Sequence, residues 1–505
     1  MTTSLEVMLR PSGITTDDVV AVARHGANVR VDSSTHVAVA AGRGHIDALI
    51  AVGTPVYGVN TGFGALASRH VPTDLLAQLQ RSLIRSHAAG TGPLVEPEVV
   101  RAMVLLRART LASGRTGVRP VVLETMIAML NAGIVPAVRE YGSLGCSGDL
   151  APLAHCALVL MGEGEVFGPD GAVVPAGPAL RTAGIAPLEL AEKEGLALIN
   201  GTDGMLGMLV LALDDIDVLC DSVDVVAAMS VEALLGTDAV FRPELHGPVR
   251  PHPGQTRSAE RMLAALAGSE IVASHRTGDD RVQDAYSLRC APQVAGAVRD
   301  TVTHARMVAE RELASIVDNP IVLPDGRVSS NGNFHGAPVA YVLDFLAIAL
   351  ADLASMAERR TDRLLDASRS HGLPPFLADD PGVDSGLMIA HYTQAALVSE
   401  MKRLAVPASV DSIPTSAMQE DHVSMGWSAA RKLRLSVDAA RRVLAIELVS
   451  AARGIDLRAP LRPAPITGAV LARLRETVDG PGSDRFLAPE IESAVRFVRG
   501  GGVLS

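Results

Sequence analysis

The tripeptide Cys146-Ser147-Gly148 can make an electrophile out of its own backbone. If the Gly148 amide nitrogen attacks the Cys146 carbonyl carbon, a five-membered ring closes. Loss of one water from the ring and of the Ser147 hydroxyl as a second leaves an exocyclic methylidene. Each residue type has a reason. Serine supplies a β-hydroxyl that can be eliminated. Glycine in third place lets the chain fold tightly and leaves the attacking nitrogen unhindered. The first residue contributes only its carbonyl, so a cysteine side chain there lies outside the ring. A tripeptide also arises by chance, so its flanks matter: Gly142-Ser143-Leu144-Gly145 before it and Asp149-Leu150-Ala151-Pro152-Leu153-Ala154-His155 after it.

Other residues offer matching chemistry, each with a plainer alternative. Tyr57 stands in the glycine-rich stretch Tyr57-Gly58-Val59-Asn60-Thr61-Gly62-Phe63-Gly64. A tyrosine ionises near pH ~10, so a role as base requires positive surroundings or a strong hydrogen bond. Ser86-His87 precedes Ala88-Ala89-Gly90 at a helix end, where a histidine commonly interacts with the dipole. Asn200 follows the apolar run Gly195 to Ile199 and would serve as a cap or turn residue. Gln283, Tyr286 and Arg289 recur every third residue and share one face if helical. Arg289 suits a carboxylate held through two hydrogen bonds. Glu420 reads as an acid at a helix N-terminus. Asp149 reads as the cap of a helix starting at Leu150, and as an aid to ring closure by hydrogen bonding. His155 and Cys156 read as structural.

These groups need a scaffold, and the rest of the chain supplies a helical one. The 505 residues are 48% hydrophobic and 20% charged, ordinary values for a globular protein. A net charge of −11 argues against nucleic acid as a partner. The start, Met1-Thr2-Thr3-Ser4-Leu5-Glu6, has no basic and apolar leader. The oily run from Met205 to Leu213 is cut by Asp214-Asp215, too short to span a bilayer. The four cysteines, at 146, 156, 220 and 290, show no metal spacing, so no membrane role, no metal and a cytoplasmic location are expected. Pro97 and Pro120 open helices that end at Ser113-Gly114 and Ala132-Gly133. Helical periodicity runs through 75–90, 205–233, 292–317, 338–366, 386–404 and 421–453. Hairpin strands are expected at 165–167 and 172–174, and another strand at 321–323. Loops are expected at 267–284 and 374–386. The fold class is mostly α, a long antiparallel central helix bundle with an N-terminal mixed region that carries the tripeptide loop. The expected divisions are 1–204, 205–453 and a helical tail, 454–505.

From Val56-Tyr57-Gly58 to Gly454-Ile455-Asp456-Leu457-Arg458 the chain resembles the aromatic amino acid ammonia-lyase family, and among its members those acting on histidine. The family builds a 4-methylidene-imidazol-5-one, usually from Ala-Ser-Gly; here the resemblance implies that Cys146, Ser147 and Gly148 form it without external cofactor, with Asp149 assisting. It implies non-oxidative removal of ammonia from L-histidine to give trans-urocanate, the opening step of histidine breakdown, in a homotetramer. It implies Tyr57 as loop base and Tyr286 as the residue that positions the amine or steadies the ring oxygen. Asn200, Gln283 and Arg289 would bind substrate, with Phe334 near the ring. The pair Ser86-His87 and the acid Glu420 are the family's marks of a histidine substrate. Met401, Val406 and Met418 depart from the common Asn, His and Asn. The alternatives are a tyrosine or phenylalanine lyase or aminomutase of the same family, a non-catalytic helical assembly protein, and a hydrolase using Cys146 or Ser147 with His155. The last fails because Asp149 stands where a nucleophile elbow has its second glycine.

Overall fold

The computed structural model describes residues 5–52, 58–62, 64–66, 71–145, 148–279 and 281–504. Tyr57, Phe63, Cys146 and Ser147 lie outside the described residues. The protein is mostly helical, with strands confined to four two-stranded sheets among the described residues. Two compact units each draw on three stretches of chain: 1–211, 306–343 and 407–431 form the first, and 212–305, 344–406 and 432–505 the second. The expected divisions at 204/205 and 453/454 follow sequence order, whereas these units interleave along the chain. Most of their borders fall inside long helices such as Asp203–Ala233 and Gly426–Asp456.

The first unit is built around helix Pro97–Ala112, whose residues from Val99 onward are almost all buried. A helix buried on nearly every face belongs in a core, and here Arg107 and Arg109 are buried with it. Helices Thr16–His25, Ser33–Val52, Pro120–Asn131 and Leu150–Leu160 pack on it. The proline and glycine punctuation marks the termini: Pro97 and Pro120 each open a helix, and Gly114 and Gly133 follow their ends at φ +72° and +69°. The N-terminus adds a parallel pair, Glu6–Leu9 with Asn28–Val31, around helix Thr16–His25. The hairpin expected after residue 165 is present, Glu165–Phe167 against Val173–Pro175. Ile321–Val322 pairs with Val328–Ser329.

The second unit is a bundle of long helices. Asp215 meets Arg434 and Arg441, and Ser230 meets Glu447. Both series rise together, so the two helices run parallel. Asp344 with Lys432 and Arg360 with Glu447 show the same for helix Ala337–Leu365. Met388–Leu404 connects them and runs back: it is followed by Val406, whose carbonyl accepts from Lys432 near the start of the last long helix. Helix Ala337–Leu365 is long and apolar enough to cross a membrane by composition, but 61% of its most apolar window is buried within the protein, which marks it as a core helix. The expected loop 267–284 contains a short helix, Glu270–Ala273. Residues 488–499 form a further helix with one apolar face.

Candidate active site

Three helices of the first unit pack on one another and bring particular ends together: Leu76–His87, Leu150–Leu160 and Glu194–Ile199. The first ends at His87, the second begins just after Gly148-Asp149, and the third ends at Asn200. The contact is close because Gly195 has no side chain. Its amide donates to the buried Gln80 Oε1 at 2.9 Å, and a Cβ would stand only 2.8 Å from that oxygen. These ends, together with Gly62, Gly64, Leu66, Asn319, Ser416 and Glu420, line a cavity of about 390 Å³. That is the lower part of the range for small-molecule pockets, roughly 300–1,000 Å³.

His87 Nδ1 lies 2.9 Å from the Leu83 carbonyl. A carbonyl only accepts, so Nδ1 carries a proton and Nε2 of the neutral ring is an acceptor. Burial holds the ring's basicity below the ordinary histidine value, against the Leu83 hydrogen bond and the charge of Glu420. Glu420 lies in a loop, and the helix begins later, at Gly426, so the expected helix-terminal reading is corrected. The loop is a left-handed turn through Ser416, Ala417 and Met418, with φ of 52°, 53° and 71°. Non-glycine residues avoid this region. Here the turn is closed by Thr415, whose amide and hydroxyl donate to Glu420 O and Oε2 at 3.0 Å each.

Asn200 is buried, and its Nδ2 donates to the Asn319 carbonyl at 2.9 Å. Its Oδ1 has no partner among the described residues. The second amide N–H and this oxygen are therefore available to a ligand in the cavity. Asp149 caps a helix, but not the one it precedes. Its Oδ2 accepts from the Gly204 and Met205 amides at 2.9 Å each, at the start of Asp203–Ala233, and its Oδ1 accepts from Ser143 Oγ at 2.8 Å. Complete burial pushes this carboxyl up to about 7 even so, and the nearby Asp203 adds to the rise.

The ring proposed for residues 146–148 can be tested against its described neighbours. Gly145 and Gly148 have φ of +70° and +76°. A Cβ on Gly148 would fall 1.9 Å from the Gly201 carbonyl oxygen, so only glycine fits. Gly148 bridges to Gly201, and the Asp149 amide donates to Gly201 O at 2.7 Å. The backbone is pinned on one side by Asn200-Gly201. On the other, Ser424 Oγ donates to Gly145 O at 2.9 Å. Among the described residues, the tight glycines at 145 and 148 and the unpartnered Asn200 Oδ1 fit a cyclised tripeptide.

Gln283, Tyr286 and Arg289 belong to the second unit and are not among the cavity's lining residues. They do not share one helical face: the helix covers only Tyr286–Arg289, and Gln283 precedes it in a bend. Tyr286 is 70% exposed, and Arg289 stacks its guanidinium 4.4 Å above the Tyr286 ring. Phe334 is half-buried in the turn before Gly336 and does not line the cavity. Met401 is buried while Val406 and Met418 are exposed, and none lines it. Among the described residues no cluster of three or more His, Cys, Asp or Glu is arranged to hold a metal.

Sequence reasoning did not single out Ser82, Asn319 and Ser416, which line the cavity, nor two buried ion pairs behind it. Lys193 Nζ lies 2.6 Å from Asp318 Oδ2, both wholly buried. Burial pushes the lysine down and the aspartic acid up, each opposed by the other's charge. Arg107 lies 3.3 Å from Asp203. Arg107 had a signal: like Arg109 it is a cation on a helix of mostly apolar residues, a position that demands a buried partner. Polar residues such as Asn319 and Ser416 had none.

The sequence model of the aromatic amino acid lyase family matches residues 14–476, and the chain belongs to that family. It is 68% identical to the histidine ammonia-lyase of Streptomyces avermitilis over 99% of this chain and 98% of that one. Among solved structures it is similar to the histidine ammonia-lyase of Trypanosoma cruzi, with a TM-score of 0.90, 40% identity and coverage of 99% and 94%. It is also similar to the tyrosine aminomutase of Streptomyces globisporus, with a TM-score of 0.94, 38% identity and coverage of 99% and 98%.

Proposed function

We propose that this chain removes ammonia from L-histidine, without oxidation, to give trans-urocanate. The observation that carries the choice of substrate is the cavity shared by His87, Glu420 and Asn200. A neutral His87 offers Nε2 to the N–H of a substrate imidazole. Glu420 balances positive charge on the imidazole or the amine. A phenyl ring would leave both groups without a partner, at a cost of about 1–3 kcal/mol for each unpaired group. The 4-methylidene-imidazol-5-one formed from Cys146, Ser147 and Gly148 supplies an electron-poor carbon that draws density from the substrate and eases departure of ammonia.

The remaining roles fall to the chain's own side chains. Asn200 holds the substrate or the ring oxygen through the amide atoms left free by Asn319. Arg289 binds the substrate carboxylate with Gln283 beside it, and Phe334 packs near the ring. Tyr57 or Tyr286 takes the β-proton; the Arg289 guanidinium stacked on the Tyr286 ring fixes that ring's orientation. Asp149 holds Gly148 in register for ring closure through the start of helix Asp203–Ala233. The exposure of Tyr286 at 70% and Val282 at 99% leaves this arm open to a further copy of the chain, and the proposed assembly is a homotetramer whose sites are shared between copies.

The test is to offer the purified protein histidine, tyrosine and phenylalanine in turn. Urocanate from histidine alone supports the reading. Cinnamate, coumarate or a β-amino acid would replace it with another lyase or an aminomutase. Intact mass should fall short of the sequence mass by two waters, and light scattering should give four chains per particle.

A further inference from the structure

Arg107 is wholly buried, yet most of its donors are directed at main chain and not at a carboxylate. Nη1 donates to the carbonyls of Asn200 at 2.6 Å and Ala197 at 3.2 Å, and Nη2 donates to Val317 O at 2.9 Å. Nε stands 3.3 Å from Asp203 Oδ2, which balances its charge. Two of the three carbonyls lie at the C-terminal end of helix Glu194–Ile199, where the last carbonyls lack intrahelical partners and a cation is favoured. The third immediately precedes Asp318-Asn319, and Asn319 O accepts from the Asn200 side chain. One guanidinium therefore ties together both strands of chain that orient the Asn200 amide. It also lies against the next residue: a Cβ on Gly201 would stand 2.7 Å from Arg107 Nη2. Gly201 is the backbone partner of Gly148.

We propose that Arg107 is a positioning residue: by gripping the carbonyl of Asn200 it aims the Asn200 amide into the cavity and sets the Gly201 backbone on which Gly148 rests. Only a planar fork of fixed donors reaches three carbonyls on two segments at once; a lysine ammonium keeps the charge beside Asp203 but not that grip. The inference rests on the lyase reading above, and the experiment separates the two.

The test is a double-mutant cycle with Arg107→Lys and Asn200→Ala, each protein first checked for the two-water mass deficit and an unchanged circular-dichroism spectrum. Arg107→Lys should lower kcat/KM for histidine by roughly 10–100-fold, and adding it to Asn200→Ala should cost no more than about twofold further, because residues acting as a unit are non-additive. Hydrogen exchange should quicken at residues 197–203 and not along helix Pro97–Ala112. Penalties that multiply, or wild-type turnover in Arg107→Lys, overturn the proposal. If the lysine variant does not fold, Arg107→Gln, with an amide donor and no charge, enters the same cycle and is judged by the same outcomes. If the wild-type protein deaminates tyrosine or phenylalanine instead, the substrate reading fails, and the cycle run on that amino acid still decides the role of Arg107.

Discussion

Each compact unit rests a segment of interest on a buried arginine, and the two arginines are used differently. In the second unit Arg360 is paired in both directions with Glu447, at 2.5 and 2.9 Å, and gives only Nη1 to main chain, to Ser287 O at 3.2 Å. Ser230 Oγ also donates to Glu447, so the carboxylate is fully satisfied. In the first unit Arg107 has a looser carboxylate contact and three carbonyls. A bidentate pair holds helices together and steadies the turn Tyr286–Arg289 as a by-product. A guanidinium given over to carbonyls holds a backbone shape. The segments above them differ in the same sense: Asn200 is enclosed in a cavity, whereas Tyr286 stands in the open. An enclosed site discriminates among small ligands by unpaired polar groups, whereas an exposed arm keeps its polar groups in water.

The largest effect that would test this contrast belongs to the enclosed site. Ser147→Ala should abolish deamination by more than about a thousandfold, restore the full sequence mass and leave the melting transition in place; retained turnover would end the ring hypothesis. In the second unit, Glu447→Ala leaves Arg360 buried without its counter-charge and should cost about 3–5 kcal/mol in denaturant unfolding. A loss below about 1 kcal/mol would mean that Arg360 is not a structural clasp.

Specificity comes next. His87→Phe removes the acceptor at Nε2 and should reduce kcat/KM for histidine by roughly 10–100-fold while narrowing the preference over phenylalanine. An unaltered ratio would remove His87 from recognition. Glu420→Gln should act in the same direction and raise KM for histidine more than it lowers kcat.

The smallest effect concerns pH. His155 Nε2 accepts from the Gly90 amide at 3.1 Å, three residues after His87. Burial, helped by Arg139 and opposed by Glu165, holds its pKa below the ordinary value of 6.5. The folded state therefore favours the neutral ring. Stability from this contact is complete above pH 6.5 and is lost as acidification charges first the unfolded and then the folded chain. His155→Gln keeps an acceptor that does not titrate, so its stability relative to wild type should improve as pH falls below about 6. Parallel pH profiles of the two proteins would exclude a role for this ring.

Much of the first unit was legible in sequence for local reasons. Prolines and glycines around 97–114 and 120–133 mark helix ends because φ and the missing amide hydrogen act within a few residues. Six helical periodicities lie where helices are found. Asp149 shows where local reasoning stops. As the residue before Leu150 it reads as that helix's cap, but its carboxylate serves the amides of Gly204 and Met205, a match made by the packing of distant segments. Gln283, Tyr286 and Arg289 fail as a helical face because their helix spans only four residues. The left-handed turn at 416–418 carries no glycine and so no signal at all.

Chain chemistry alone marked which residues carry the groups that ring closure needs, where most helices begin and end, and which side chains have the right polarity for an imidazole, since each depends on bonds and neighbours within a turn or two. Folding settled which of those side chains share a cavity, which nitrogen of His87 is left to accept, and why Arg107 is needed at all. Those outcomes depend on contacts between residues tens or hundreds of positions apart, and on burial, which sets the cost of every unpaired charge.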